Sequence, residues 1–189
     1  MSKRRSLIIV NFLIVFVLVA GIVIAANRNN NEYDDNSGGT VKELKVPDKF
    51  TITYSYGGGY GTLATTATRV ITLDQDGNVS ISLEKDEIDV EPVTFHVDKE
   101  KAAEVMKFFI DNHFEKVKEN LDNNDVLDGD SNYLEVKSDS INRKVGGYAA
   151  FTNKDFEKFR TKFYEIVDSS KLKEFNKQVD DAFEKSISN

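Results

Sequence analysis

The stretch Tyr56-Gly57-Gly58-Gly59-Tyr60-Gly61-Thr62 combines residue types that can meet a ligand. A glycine-rich loop cradles phosphate where it opens a helix whose N–H groups face the anion. Here a Thr-rich, strand-like segment follows, with no Lys-Ser/Thr pair, so nucleotide binding is set aside. Two readings stay open. One is a plain hairpin loop whose glycines supply positive φ. The other is a contact loop, Tyr56, Gly57, Gly58, Gly59, Tyr60 and Gly61, that enters a partner's cleft or stacks on a sugar ring.

A second candidate is the acidic run from Asp122 to Asp130. With Gly129 aligned on the glycine of a twelve-residue calcium loop, Asn124 stands first, Asp128 fifth and Glu135 twelfth. Val126 then occupies a ligand position and Glu135 falls on a strand pattern, so a solvated turn-rich loop is the competing reading and no metal is assigned. His96 and His113 have no partner at ligand spacing and read as core or boundary residues. The pair Asp86/Glu87 is the kind of carboxylate pair that acid–base catalysis uses, but its spacing is that of ordinary solvated charge. No nucleophile elbow or His-Glu-x-x-His motif occurs, and no cofactor is expected. The absence of Cys excludes disulfides, thiolate zinc sites and Cys nucleophiles. The net charge of −7 argues against a nucleic-acid partner.

These residues must be held by something, and the 189-residue chain divides clearly. Residues 7–26, LIIVNFLIVFVLVAGIVIAA, contain Asn11 as their only strongly polar residue. As a helix, a run of that length spans roughly 30 Å, the hydrocarbon thickness of a bilayer. Lys3, Arg4 and Arg5 precede it, and Arg28 is the only basic residue between the run and Lys42. The positive-inside tendency places residues 1–6 in the cytoplasm, 7–26 across the cell membrane and the long C-terminal part outside. A secreted form cut near Ala25 is the rival, since Val23-Ile24-Ala25 resembles a signal cleavage site; the apolar run is longer than such signals usually are. Residues 27–46 are rich in Asn, Asp, Ser and Gly and read as a flexible linker. Without the three basic residues of the first 26, 22 Lys and Arg face 32 Asp and Glu, a balance of −10.

Residues 47–189 read as one α+β domain. Phe50 to Tyr56 alternates apolar and polar, Thr65 to Leu73 reads as a second strand, and Val79, Ile81 and Leu83 mark a third after the Asp76-Gly77 turn. A short strand is expected within Pro92–Val97. Asp98 caps a helix expected to run to about Leu121, with Ala102, Val105, Met106, Phe109, Ile110, His113, Phe114 and Val117 on its stripe. Strands follow at Tyr133–Ser138 and Asn142–Phe151, then helices at Asn153–Val167 and from a cap at Ser169 or Ser170. The last helix carries Leu172, Phe175, Val179, Phe183 and Ile187 and packs either on its own domain or on a second subunit. Hairpins followed by helices imply an antiparallel sheet with helices packed on one face, preceded by a single N-terminal transmembrane helix.

The order of these elements, with Tyr54-Ser55-Tyr56-Gly57-Gly58-Gly59-Tyr60-Gly61, Phe108-Phe109, Asp130 through Tyr133 and Val136, resembles the emfourin-type inhibitors of thermolysin-like metalloproteases over residues 50–168. The resemblance implies an α+β inhibitor-like fold; the anchor and third helix depart from it, and no site residue transfers. The expected function is a non-enzymatic, membrane-anchored, extracytoplasmic protein-binding module of unknown oligomeric state, presenting residues 56–62 and 123–132. One rival is a cell-wall or carbohydrate-binding module stacking sugars on Tyr54, Tyr56, Tyr60 and Tyr148. The other is an enzyme with a carboxylate-only site.

Overall fold

Side-chain alternation sets up the sheet. In the computed structural model, which describes residues 45–58, 66–84, 88 and 90–188, strand β1 (Phe50–Gly57) buries Phe50, Ile52 and Tyr54 and leaves Thr51, Thr53 and Ser55 half-exposed on the other side. The expected span at 7–26, most of the linker, the pair Asp86/Glu87, and Gly59, Tyr60 and Gly61 lie outside the described residues. Among those described, no helix is long and apolar enough to cross a membrane.

Strands β2 (Arg69–Asp74), β3 (Asn78–Leu83), β4 (Val93–His96), β5 (Ser131–Ser138) and β6 (Asn142–Tyr148) complete an antiparallel sheet in the order β4-β3-β2-β1-β5-β6. Register decides which residues share a face. Ile52 lies opposite Leu73 and Val136, and Tyr54 opposite Ile71 and Leu134, so apolar rows line up on one side. The opposite side carries the hydroxyl row Thr53, Thr72, Ser80 and Thr94. The Asp76-Gly77 turn forms as expected. Gly77 has φ 88°, and the Asp74 carboxylate accepts the N–H groups of Asp76 and Asn78 at 2.9 and 3.0 Å.

Helices α1 (Lys99–Asp111), α2 (Lys154–Tyr164) and α3 (Ser169–Ile187) bury their apolar stripes in the same core as the inward sheet rows. Phe159 of α2 is central: its ring centroid lies 5.9, 5.0 and 5.1 Å from those of Phe108, Phe109 and Phe114. α3 packs on its own domain through Phe175 and Val179, which selects the first of its two expected placements. Its cap is Asp168 rather than Ser169 or Ser170, with the carboxylate accepting the N–H of Ser170 at 2.7 Å. α2 is shorter than expected and is capped by the Asn153 side chain.

α1 stops at Asp111, ten residues before the expected Leu121. His113 takes a left-handed conformation, φ 57°, and its N–H donates to the Ile110 carbonyl. No glycine marks this stop. The helix yields because Phe114 turns back into the core against Phe109 and Phe159. The chain then runs along the free edge of β6: Gly146 N–H donates to the Glu119 carbonyl, and Leu121 N–H to the Gly146 carbonyl, each at 2.9 Å. That covers an edge which otherwise invites association. His113 therefore points outward to Glu115, 3.0 Å away, and His96 is also exposed, so neither is the core or boundary residue expected. β2 begins at Arg69 rather than Thr65, a residue outside those described. β6 ends at Tyr148 rather than Phe151, because Ala149 turns left-handed (φ 53°) into a short 3-10 turn at Ala150–Thr152.

Candidate functional site

The ladder between β1 and β5 brings the feet of the two candidate loops to one end of the sheet. Gly57, where the glycine-rich loop begins, lies opposite Ser131, where the acidic loop ends. The other foot of the glycine loop is tied here too, since Gly58 N–H donates to the Thr66 carbonyl at 2.9 Å. The two glycines serve different needs. A Cβ on Gly57 would stand 2.6 Å from Thr68 Cα, so the backbones pass too closely for any side chain. Gly58 has open space around it but φ 85°, a turn conformation L-residues avoid.

Tyr56 is not a loop residue. It is the last inward side chain of β1, half-buried, with its ring stacked on Tyr54 at 5.3 Å between centroids. At this end of the sheet lies a polar cluster that sequence reasoning did not find. Arg69 and Asn132 are the two buried polar side chains among the described residues, and both sit here. Tyr54 Oη donates to Asn132 Oδ1 at 2.5 Å, and Asn132 Nδ2 donates to the Asp130 carbonyl at 2.9 Å. Arg69 donates through Nε to Asn176 Oδ1 and through Nη1 to the Ala67 carbonyl, each at 2.9 Å. Arg160 grips Glu157 through two bonds of 2.7 and 2.6 Å and lies 5.3 Å over the Tyr164 ring. A signal was present: Arg69 and Asn132 occupy inward positions of strands whose other inward residues, Ile71, Leu73, Leu134 and Val136, are apolar. An inward polar residue must find a partner or destabilise the fold.

Burial pushes the Tyr56 phenol up to about 12, and Tyr54 and Tyr164 are raised by the same cause; the hydrogen bonds from Arg160 hold Glu157 below the usual carboxylate range. A tyrosine whose folded pKa lies above its ordinary 10.0 binds its proton more tightly when folded. Its contribution is present below pH 10 and is lost as pH rises toward about 12. We expect part of the phenolate absorbance to rise only toward pH 12, together with loss of the far-ultraviolet dichroism. Phenolate absorbance that is complete near pH 10 with the fold intact refutes this account of the cluster.

The acidic loop is held by Tyr148. Its hydroxyl donates to the Leu127 carbonyl at 3.0 Å and accepts the Gly129 N–H at 2.7 Å, while its own N–H donates to Asp122 Oδ1 at 2.7 Å. Asn123 Nδ2 donates to Thr152 Oγ1 at 2.9 Å. Leu127 projects from this frame, 85% exposed. The calcium ligand set does not assemble. Glu135 lies mid-strand on the open face of the sheet, paired with Lys137 at 3.0 Å. Among the described residues no three acidic or histidine side chains converge as a metal site would require. Of the sugar-stacking set, Tyr54 is buried, Tyr56 is stacked on it, the Tyr148 hydroxyl makes two hydrogen bonds, and Tyr60 lies outside the described residues. No Asp or Glu is buried among the described residues.

Compared with known protein families and with curated proteins, the chain matches none.

Proposed function

We propose that this protein is a membrane-tethered, non-catalytic binding module that offers one end of its sheet to a protein partner outside the cell. The apolar run 7–26 and the basic cluster before it support the tether and its orientation. The observation that carries the binding reading is the pairing of Gly57 with Ser131, which roots both candidate loops side by side. Loops rooted side by side on a rigid scaffold are a common way to carry recognition. The resemblance to emfourin-type inhibitors makes an extracytoplasmic metalloprotease the first partner class to try.

The test places a photo-crosslinking residue at Thr66, at Asn124, or at Asp76 in the turn at the far end of the sheet, each in the full chain in membranes of the producing cell. The reading expects one common protein product from Thr66 and Asn124 and none from Asp76. Products from Asp76 alone, or none from the two rim positions, refute it. Co-sedimentation with purified cell-wall polymer in place of any protein product favours the carbohydrate-binding rival.

A further inference from the structure

We propose that Leu127 is the anchor of this rim, and that the partner meets it with an apolar pocket bordered by basic side chains. This rests on the binding-module reading and adds to it the chemistry of the partner.

A lone exposed leucine on a protein surface needs no explanation in itself. Leu127 differs in how its backbone is held. Its own carbonyl and the N–H of Gly129 both bond to the Tyr148 hydroxyl, and the loop is tied again through Asn123 to Thr152. Tyr148 in turn stands on β6, paired with Ser131 of β5. The tip is thus fixed in the free protein, and little ordering remains to be done on binding. A large apolar side chain held out on a fixed backbone fits the description of an interface anchor that fills a pocket.

The charge along the loop selects the pocket's border. From Glu119 through Val136 the sequence holds no Lys or Arg, while Asp122, Asp125, Asp128 and Asp130 fall within it. Asp125 and Asp128 flank Leu127, both exposed, and neither makes an ion pair among the described residues. Docking the leucine brings these carboxylates against the partner's rim, where basic side chains attract them and acidic ones repel them. The same charges disfavour an anionic membrane surface, a nucleic acid or a second copy of this acidic chain.

The test reads the cross-link from Thr66 in the full chain, so the reporter lies off the acidic loop. In Leu127→Ser the product falls about tenfold or more. In the pair Asp125→Asn with Asp128→Asn it falls several-fold. Raising salt from about 0.05 to 0.5 M weakens the wild-type product far more than that of the paired variant. Because the three side chains are exposed, each variant keeps the wild-type unfolding midpoint. A Thr66 product undiminished by Leu127→Ser overturns the anchor while leaving the rim intact. A product lost in Leu127→Ser but insensitive to salt and to the paired change overturns the basic border. No wild-type product from either Thr66 or Asn124 removes the binding-module reading, and this inference falls with it.

Discussion

Phe159→Ala lowers the free energy of unfolding by about 3–5 kcal/mol, the range for removing a fully buried phenylalanine. The ring has no solvent exposure and sits against Phe108 and Phe109 of α1 and Phe114 of the turn that follows. Its loss removes apolar burial and leaves a cavity walled by rigid rings on three sides, which collapse poorly. Small domains are stable by only about 5–15 kcal/mol, so the effect consumes a large share. It also loosens Phe114, the residue whose return to the core ends α1. The measurement is the denaturant midpoint followed by tyrosine fluorescence, which is clean because the chain has no Trp. Phe151→Ala, at an exposed position, stays within about 0.5 kcal/mol of wild type. A midpoint for Phe159→Ala as close to wild type as that contradicts the packing described.

Gly146→Ala is expected to be as damaging, by about 4 kcal/mol or more, through backbone collision rather than a cavity. Gly146 has φ 153°, and a Cβ there would run into the Asn132 carbonyl oxygen and stand 2.7 Å from Tyr133 Cα. Neither obstacle is the far end of a flexible side chain. The β5–β6 ladder has to open, and with it go the Glu119 and Leu121 hydrogen bonds that cover the β6 edge. Gly58→Ala is the comparison. It shares a positive φ, 85°, but has nothing within 4 Å of the new Cβ, so it carries only the conformational penalty of about 1 kcal/mol. Hydrogen exchange separates the two further: amides of β5 and β6 lose protection in Gly146→Ala and keep it in Gly58→Ala. Equal midpoints for the two variants rule out the crowding argument.

Much of the fold was legible because period-two and period-3.6 patterns are local. Phe50, Ile52 and Tyr54 alternate with hydroxyl residues, Asp76-Gly77 demands a tight turn, and Phe156, Phe159 and Phe163 return at helical spacing. Such patterns state which face of an element meets the core. They do not state which element it meets, or in what register. Of the candidate site, the sequence marked the two loops but grouped Tyr56 with the glycines that follow it, whereas the strand phase turns its ring inward onto Tyr54.

The inward positions of Arg69 and Asn132 could be read from alternation, but their tolerance could not. That depends on Tyr54, 78 residues from Asn132, and Asn176, 107 residues from Arg69. The end of α1 had no local signal either, since its stop is enforced by Phe114 packing against Phe159 on another helix. The sequence by itself determined the elements, their buried faces, the acidic balance and the segments worth suspecting. Only the tertiary structure set Gly57 against Ser131 and hung the Leu127 loop on Tyr148, because both depend on contacts between residues far apart in the chain.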